Sequence, residues 1–344
     1  MSNRRVLVYE KLLPGDGIVQ ELKRRNLEPA LPFGPDSCLL RTRPLDEDAL
    51  IDLAAGFAAI VGASGARITE RVLRSLPELQ LVSKIGIGHD VIDLAAATNL
   101  GVQVTNTPST VEIDAVAEHA VTLMLAAAKE LNFYDRRRMA DGEWLDYTRP
   151  PRTLRGKTVG LIGFGRIARA VVARLSGWQT TILATDSRPV VVGEGVRMVE
   201  LDELLALSDF VSLHVSTSAG DPPILGSAEL ARIKPGVVLV NTARGVNLDQ
   251  VALVRELRSG RVAVAALDVF HPEPPPADDP LLALPNVLVT PHLGAAPVEA
   301  SRDMEIMAAE HVRQVLDGET PAALLNPAAR FRRPHTADRR KAAP

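Results

Sequence analysis

The sequence is poor in cysteine, aromatic residues and long apolar runs, and neither sign of charge is in large excess. A single cysteine, Cys38, excludes an internal disulfide and a metal site built on paired cysteines, and it favours a reducing compartment such as the cytoplasm. The net charge of −3 provides no electrostatic attraction for nucleic acid or an anionic membrane. No run approaches the ~18 apolar residues of a membrane-spanning helix, and the first residues predict a strand rather than a secretory leader.

The most informative segment is 158–168, where an apolar strand leads into a glycine turn and a helical pattern follows. Gly163 permits the tight turn, and Gly165 lets the backbone approach a pyrophosphate at the positive N-terminus of the helix. A second apolar strand, 180–185, ends at Asp186, whose carboxylate can bind ribose hydroxyls and would repel a 2′-phosphate. This order of elements predicts a dinucleotide site that prefers NAD to NADP.

The length and the 46% apolar content are sufficient for two domains with separate cores. Apolar runs that predict buried parallel strands lie at 6–9, 58–61, 79–85 and 102–105, and again at 158–162, 180–185, 210–215, 237–240, 262–267 and 287–290. Helices are predicted near 17–26, 69–76, 91–99, 111–140 and 297–316. The helix at 111–140 would be about 45 Å long, which is enough to lead from one domain into the next. The final helix is expected to pack back on the first domain, with the active site in the cleft between the domains.

Polar side chains follow three of the later strands, at the sheet edge where α/β proteins bind ligands. Arg244 presents a planar guanidinium that can hold a carboxylate and polarise the neighbouring carbonyl. His292 has an imidazole suited to taking up and returning a hydroxyl proton. Glu273 can fix the tautomer of that imidazole, while Asp268 can bind a nicotinamide carboxamide or act on His292 electrostatically. Together these groups predict hydride transfer between a hydroxy acid and a nicotinamide.

Short motifs outside this predicted dinucleotide site add a resemblance to one family. They are Gly-Ile-Gly-His-Asp-Val-Ile-Asp at 86–93, Asn-Thr-Pro at 106–108, Val-Ala-Glu-His at 116–119, Leu-Arg-Gly-Lys-Thr-Val-Gly at 154–160, Asn-Thr-Ala-Arg-Gly at 241–245, Asp-Val-Phe-His-Pro-Glu-Pro at 268–274 and Thr-Pro-His-Leu-Gly at 290–294. With these motifs the chain resembles the D-isomer-specific 2-hydroxyacid dehydrogenase family over about residues 50–326, and is similar to its short phosphoglycerate-dehydrogenase-type members.

The expected fold is α/β with two open parallel-sheet domains. A Rossmann-type NAD domain, 106–296, is inserted into a flavodoxin-like substrate domain formed by 1–105 and 297–328. Residues 329–344 are expected to form a disordered basic tail. The resemblance also implies a homodimer formed through the 111–140 region.

The resemblance assigns roles to individual residues. It gives Arg244, Glu273 and His292 the catalytic roles described above. The residues expected to contact NAD are Gly163, Gly165, Arg166, Ile167, Asp186, His214, Thr242 and Asp268. Those expected to bind the substrate are Lys84, through a phosphate, and Gly86, Ile87 and Gly88, through their backbone amides. No metal site is predicted, because no His, Asp and Glu spacing suggests one and hydride transfer requires none.

Two departures from the family pattern concern the cofactor region. Ser109 and Ser216 stand where the family usually has glycine and proline. Two other functions stay open: an NAD-sensing binding protein without turnover, and a dehydrogenase of the same fold that oxidises formate or phosphite. The sequence does not choose between 3-phosphoglycerate, glyoxylate and hydroxypyruvate-type substrates.

Overall fold

The chain forms two compact units in the computed structural model, which describes residues 3–34, 45–63, 65–144, 149–216 and 221–329. One unit consists of Met1–Glu112 and Val298–Pro344, and the other of Ile113–Pro297. The chain therefore crosses from the first unit to the second after Glu112 and returns after Pro297. Cys38 and the basic segment from 330 onward lie outside the described residues.

The first unit is built on a parallel five-stranded sheet. Its strands are β1 (Arg5–Val8), β2 (Glu28–Ala30), β3 (Ala59–Gly62), β4 (Leu81–Lys84) and β5 (Gln103–Thr105). Its helices are α1 (Gly17–Arg24), α2 (Glu47–Ala54), α3 (Glu70–Ser75), α4 (Leu94–Asn99) and, after the second unit, α11 (Val298–Leu316). The strand order β2-β1-β3-β4-β5 is that of flavodoxin-like sheets, as predicted. Strands β3 and β4 are buried along their whole length, as is usual for parallel strands inside an α/β sheet.

The second unit is a parallel sheet of seven strands. These are β6 (Thr158–Ile162), β7 (Thr181–Thr185), β8 (Val196–Met198), β9 (Phe210–Leu213), β10 (Val237–Asn241), β11 (Val262–Leu267) and β12 (Val287–Val289). Its helices are α5 (Thr110–Ala128, beginning in the first unit), α6 (Arg136–Ala140), α7 (Arg166–Arg174), α8 (Leu201–Leu207), α9 (Ser227–Arg232) and α10 (Gln250–Arg258), with a 3₁₀ turn at Gly245–Asn247. The order β12-β11-β10-β9-β6-β7-β8 confirms the doubly wound sheet. From β6 the chain adds strands first toward β8 and then, starting with β9, toward the opposite edge of the sheet. Sheets of this kind bind ligands at the point between β6 and β9 where the strand order changes direction.

Two short strands, β2 and β8, were not predicted, because their sequences lack an apolar run. Both are edge strands of three residues. Pro29 lies inside β2, and an edge position tolerates proline because one side of the strand has no ladder partner. Helix α2 was also missed, although Asp46 caps it by accepting a hydrogen bond from the Ala49 amide at 2.8 Å.

The prediction of one helix over 111–140 is wrong. Helix α5 ends at Ala128 and is about 28 Å long at 1.5 Å per residue. Glu130 then adopts a positive φ of 55°, and its buried carboxylate pairs with Arg149 at 2.6 Å. The Arg149 guanidinium also lies 4.0 Å from the centre of the Phe133 ring. These contacts with a distant part of the chain turn the backbone, and helical periodicity alone does not reveal them.

Within the described residues, no helix is both long enough and apolar enough to cross a membrane.

Candidate functional site

The glycine turn after β6 leaves the N-terminus of α7 open. Gly163 has a φ of 87°, and a Cβ there would lie 2.7 Å from the His214 carbonyl oxygen. Gly165 is the N-cap of α7, and no heavy atom lies within 4 Å of where its Cβ would be. No side chain caps this helix. The positive end of the helix therefore has space for a pyrophosphate, with exposed Arg166 and partly buried Ile167 beginning the helix.

Asp186, which follows β7, is held against the same turn. Its carboxylate accepts hydrogen bonds from the Phe164 amide at 2.9 Å and the Arg188 amide at 3.0 Å. Burial opposes ionisation of Asp186, but these hydrogen bonds and the charge of Arg188 lower its pKa. An ionised carboxylate thus lies beside the glycine turn, at the position where this fold commonly accepts hydrogen bonds from a ribose.

Two buried polar atoms at the ends of β9 and β10 test whether this edge fits a dinucleotide. His214 Nε2 and Thr242 Oγ1 have no hydrogen-bond partner among the described residues. Burial lowers the pKa of His214 to about 4, so the ring is neutral at physiological pH. Buried polar atoms normally have partners. A ligand with hydrogen-bonding groups along this edge would supply them, as the ribose, pyrophosphate and carboxamide groups of NAD do.

The loop that carries Arg244 packs directly on the loop that carries Glu273. A Cβ on Gly245 would lie 2.0 Å from the carbonyl carbon of Phe270, so only glycine allows this backbone contact. Asn241 holds the first loop by donating to the Arg244 carbonyl at 2.8 Å and accepting from the Ala243 amide at 3.0 Å. The positive charge of Arg244 also helps to lower the pKa of Glu273.

Glu273 and His292 form a hydrogen-bonded pair. His292 Nδ1 lies 2.8 Å from one carboxylate oxygen of Glu273, and the other oxygen accepts from the Phe270 amide at 2.9 Å. Burial opposes ionisation of Glu273, but its hydrogen bond with His292 and the nearby positive charges lower its pKa. An anionic Glu273 selects the tautomer that carries a proton on Nδ1. The predicted meeting of these two residues is therefore present in the structure.

Asp268 fixes the backbone of the loop on which His292 stands. One carboxylate oxygen accepts from the Thr290 hydroxyl at 2.6 Å and the Leu293 amide at 2.7 Å, and the other from the Gly294 amide at 2.9 Å. The Asp268 carbonyl also accepts from the His292 amide at 2.8 Å, where His292 has a positive φ of 56°. Non-glycine residues adopt this conformation only when their surroundings hold them there. Asp268 provides that support.

His119 completes this network from α5. Its Nε2 lies 3.0 Å from the Thr290 hydroxyl and 3.2 Å from Asp268. Sequence reasoning placed His119 in a family motif but gave it no chemistry, and nothing in the spacing pairs it with Asp268. Its position in that motif is the only feature of the sequence that could have drawn attention to His119.

The loop at 86–88, which we call the glycine loop, belongs to the first unit and is held in place by hydrogen bonds with neighbouring residues. Gly86 has a φ of 100°, and its amide donates to the Thr107 hydroxyl at 2.7 Å. The Ile87 amide donates to the carboxylate of Glu112 at 3.1 Å, and the Ile87 carbonyl accepts from Asn106 at 2.8 Å. Glu112 was missed in the sequence, because an acid in the first turn of a helix usually needs no explanation beyond the helix dipole.

Lys84 lies beneath this loop rather than on the surface. Its side chain is buried, and its ammonium donates to the Ile85 carbonyl at 2.6 Å. Ser109, one of the departures from the family pattern, caps α5 by accepting from the amides of Val111 and Glu112 at 3.0 and 3.3 Å. A serine thus supplies a helix cap where a glycine would supply none.

Comparison with known proteins decides the family. Residues 121–294 match the family described as D-isomer specific 2-hydroxyacid dehydrogenase, NAD binding domain. The chain belongs to this family. It is 38% identical over 290 residues to a glyoxylate reductase of Korarchaeum cryptofilum, covering 82% of this chain and 87% of the relative.

Two other proteins similar to this chain have names that differ from that of the glyoxylate reductase, and one of them is much longer than this chain. A D-3-phosphoglycerate dehydrogenase of Archaeoglobus fulgidus is 37% identical over 279 residues, which cover 80% of this chain and 52% of the relative. The chain thus spans about half the length of that protein. The structure of an NAD-dependent formate dehydrogenase from Staphylococcus aureus in complex with NAD superposes with a TM-score of 0.80 at 26% identity, covering 92% of this chain and 96% of that one.

The NAD-binding domain of this family member contains the whole set of predicted cofactor contacts, since 163–268 lies within 121–294. The described part of the chain has no cluster of three or more His, Cys, Asp or Glu side chains that could hold a metal ion.

Proposed function

We propose that this family member is an NAD-dependent D-2-hydroxyacid dehydrogenase that interconverts a 2-hydroxy acid and its 2-oxo acid. The observation that carries the proposal is the 2.8 Å pair of His292 Nδ1 and Glu273. Because that contact uses Nδ1, Nε2 is the atom that exchanges a proton with the substrate oxygen. During oxidation C2 of the acid gives up a hydride, and His292 takes the hydroxyl proton.

Glu273 acts through His292. Its carboxylate accepts the Nδ1 proton in a hydrogen bond, which leaves Nε2 as the ring atom that takes up the substrate proton. Arg244, whose loop packs on the loop that carries Glu273, binds the substrate carboxylate and polarises the C2 carbonyl. Asp268 keeps the His292 loop in its strained conformation.

NAD, when bound, supplies the hydride acceptor. Its pyrophosphate would lie against the open N-terminus of α7 at Gly165, and its adenosine ribose against Asp186. Thr242 and His214 would bind further toward the nicotinamide. In the first unit, the amides of the glycine loop would hold the substrate carboxylate, as the family resemblance implies.

The similarity to a formate dehydrogenase supports a second candidate. Formate oxidation transfers a hydride from carbon and leaves carbon dioxide, so no hydroxyl proton has to be removed. A general base with its own orienting carboxylate has no task in that reaction. The Glu273–His292 pair therefore favours the hydroxy acid.

The test is NADH oxidation by the purified full-length chain with glyoxylate, hydroxypyruvate, 3-phosphohydroxypyruvate and pyruvate, compared with NADPH. Turnover of at least one acid, abolished in His292→Ala, supports the proposal. Reduction of NAD by formate or phosphite alone would favour the second candidate. NADH binding without turnover of any acid would identify a binding protein instead.

We further propose a homodimer located in the cytoplasm. The segment after α5 exposes large apolar side chains, with Leu131, Met139 and Trp144 57%, 56% and 81% exposed. Large exposed apolar side chains are a feature of protein interfaces. Light scattering coupled to gel filtration should give twice the chain mass, and Trp144→Asp should shift it toward the monomer. Cell fractionation tests the location, which the single cysteine suggests.

A further inference from the structure

The carboxylate of Glu112 occupies a position that an anionic ligand of the glycine loop would use. Its Oε1 accepts a hydrogen bond from the Ile87 amide at 3.1 Å, and its side chain is 4% exposed. Backbone amides in a loop opened by a positive-φ glycine are a common anion-binding device. In this protein the carboxylate of Glu112 is the anion that these loop amides bind.

This position is not the one that the local sequence favours. Ser109 and Glu112 have the spacing of a capping box, in which the glutamate would accept a hydrogen bond from the serine amide. Half of the motif is present, because the Ser109 hydroxyl accepts from the Glu112 amide at 3.3 Å. The Ser109 amide, however, donates to the Thr107 carbonyl at 2.8 Å. The Glu112 carboxylate reaches the glycine loop instead.

A buried positive charge lies next to this carboxylate. The Lys84 ammonium and Glu112 Oε1 are each 3.6 Å from the position that a Cβ on Gly86 would take, so they are at most twice that distance apart. Both side chains are buried, at 5% and 4% exposure, where opposite charges act on each other strongly. The positive charge of Lys84 is therefore balanced locally by Glu112.

We propose that Glu112 is a specificity-determining residue that restricts the protein to 2-oxo acids whose carboxylate is their only anionic group. The inference rests on the proposed function and names its substrate class. A substrate carboxylate at the glycine loop meets Glu112 as a like charge that Lys84 compensates. A phosphate on the same substrate adds further negative charge, and the positive charge of Lys84 is already balanced by Glu112. Glyoxylate and hydroxypyruvate fit this site, and 3-phosphohydroxypyruvate does not.

The experiment compares kcat/KM for hydroxypyruvate and 3-phosphohydroxypyruvate in the full chain. The wild-type protein should prefer the unphosphorylated acid by about tenfold or more, the size expected from one charge beside a bound anion. Glu112→Gln keeps an oxygen for the Ile87 amide but removes the charge. It should narrow the preference by about tenfold, mainly through a lower KM for the phosphorylated acid. Adding Lys84→Met to that variant should restore the preference.

The control is Glu70→Gln, which removes an exposed glutamate from α3 of the same unit and should leave the ratio at the wild-type value. The inference is overturned if the wild-type protein has equal kcat/KM values for the two acids. It is also overturned if the ratio of these values in Glu112→Gln equals the ratio in the control. Calorimetry of the wild-type protein with NAD, comparing D-glycerate with 3-phospho-D-glycerate, decides the matter if the variant does not fold. Tighter binding of the phosphorylated acid would then refute it. Absence of turnover on every acid would instead remove the proposed function.

Discussion

Replacing Asp268 by asparagine is predicted to loosen the loop that carries His292. In the wild-type protein both carboxylate oxygens accept hydrogen bonds, one from Thr290 and Leu293 and the other from Gly294. An asparagine amide has one oxygen and one NH₂ group, so in either orientation the NH₂ group faces a backbone N–H. A buried donor is left without an acceptor at a cost of about 1–3 kcal/mol.

The pKa of Asp268 provides a second estimate of the same effect. Burial opposes ionisation, but hydrogen bonds from His119, Thr290 and the two amides lower the pKa from 3.8 to about 2. That difference corresponds to about 2.5 kcal/mol of stabilisation of the folded state. Because the folded pKa lies below the unfolded one, this contribution is complete above about pH 4 and is lost as the pH falls through about 2.

Thermal unfolding followed by circular dichroism measures the change. A loss of about 2.5 kcal/mol at pH 7 corresponds to a Tm lower by about 5–10 °C for a unit of this size, and the difference should shrink near pH 2–3. The variant should also lose kcat, because the position of His292 depends on this loop. The matched control is Asp249→Asn, since Asp249 caps α10 and asparagine caps helices equally well. If the two variants have the same Tm and kcat, the assigned role of Asp268 is wrong.

Three further predictions concern the cofactor and substrate contacts. Gly165→Ala should unfold at the wild-type temperature but bind NADH at least about tenfold more weakly, because its Cβ enters only the open space above the helix. Gly163→Ala, in contrast, should lower the Tm, because its Cβ meets the backbone after β9 and its φ is positive. Equal Tm values for the two variants would contradict this. Asp186→Ala should reduce the preference for NADH over NADPH by about tenfold or more in kcat/KM ratios, and an unchanged ratio would contradict the ribose contact. Arg244→Ala should raise KM and lower kcat together, whereas His292→Ala should chiefly lower kcat by about 10²–10⁴-fold; wild-type activity in both would remove the site assignment.

Most of the architecture was predictable because buried parallel strands have a strong local signature. Continuous apolar runs such as 262–267 coincide with observed strands such as β11. The glycine turn and Asp186 predict a dinucleotide site from positions close in sequence, and the structure places the Asp186 carboxylate 2.9 Å from the Phe164 amide of that turn. Edge strands such as β2 lack this signature, since one of their sides needs no apolar cover.

The errors and omissions depend on contacts between residues distant in sequence. The end of α5 follows from the pairing of Glu130 with Arg149, 19 positions later. The contact between His119 and the Asp268 network joins α5 to a loop 171 positions away. Glu112 reaches the glycine loop across 25 positions. Each of these residues has an ordinary local explanation, so only the fold reveals its contact.

Each unit has a buried carboxylate that accepts hydrogen bonds from a loop for which we propose a role in the active site, and the two carboxylates do so in different ways. Asp268 has a short side chain and accepts hydrogen bonds at 2.6–2.9 Å on both oxygens from one short loop. Glu112 reaches its loop through a longer side chain and accepts the Ile87 amide at 3.1 Å, with a lysine nearby to balance its charge. A carboxylate held as firmly as that of Asp268 is suited to fixing a backbone. A carboxylate on a longer side chain, such as that of Glu112, can share or give up the amide when a substrate carboxylate arrives. A residue that determines which substrate charge is accepted needs this property.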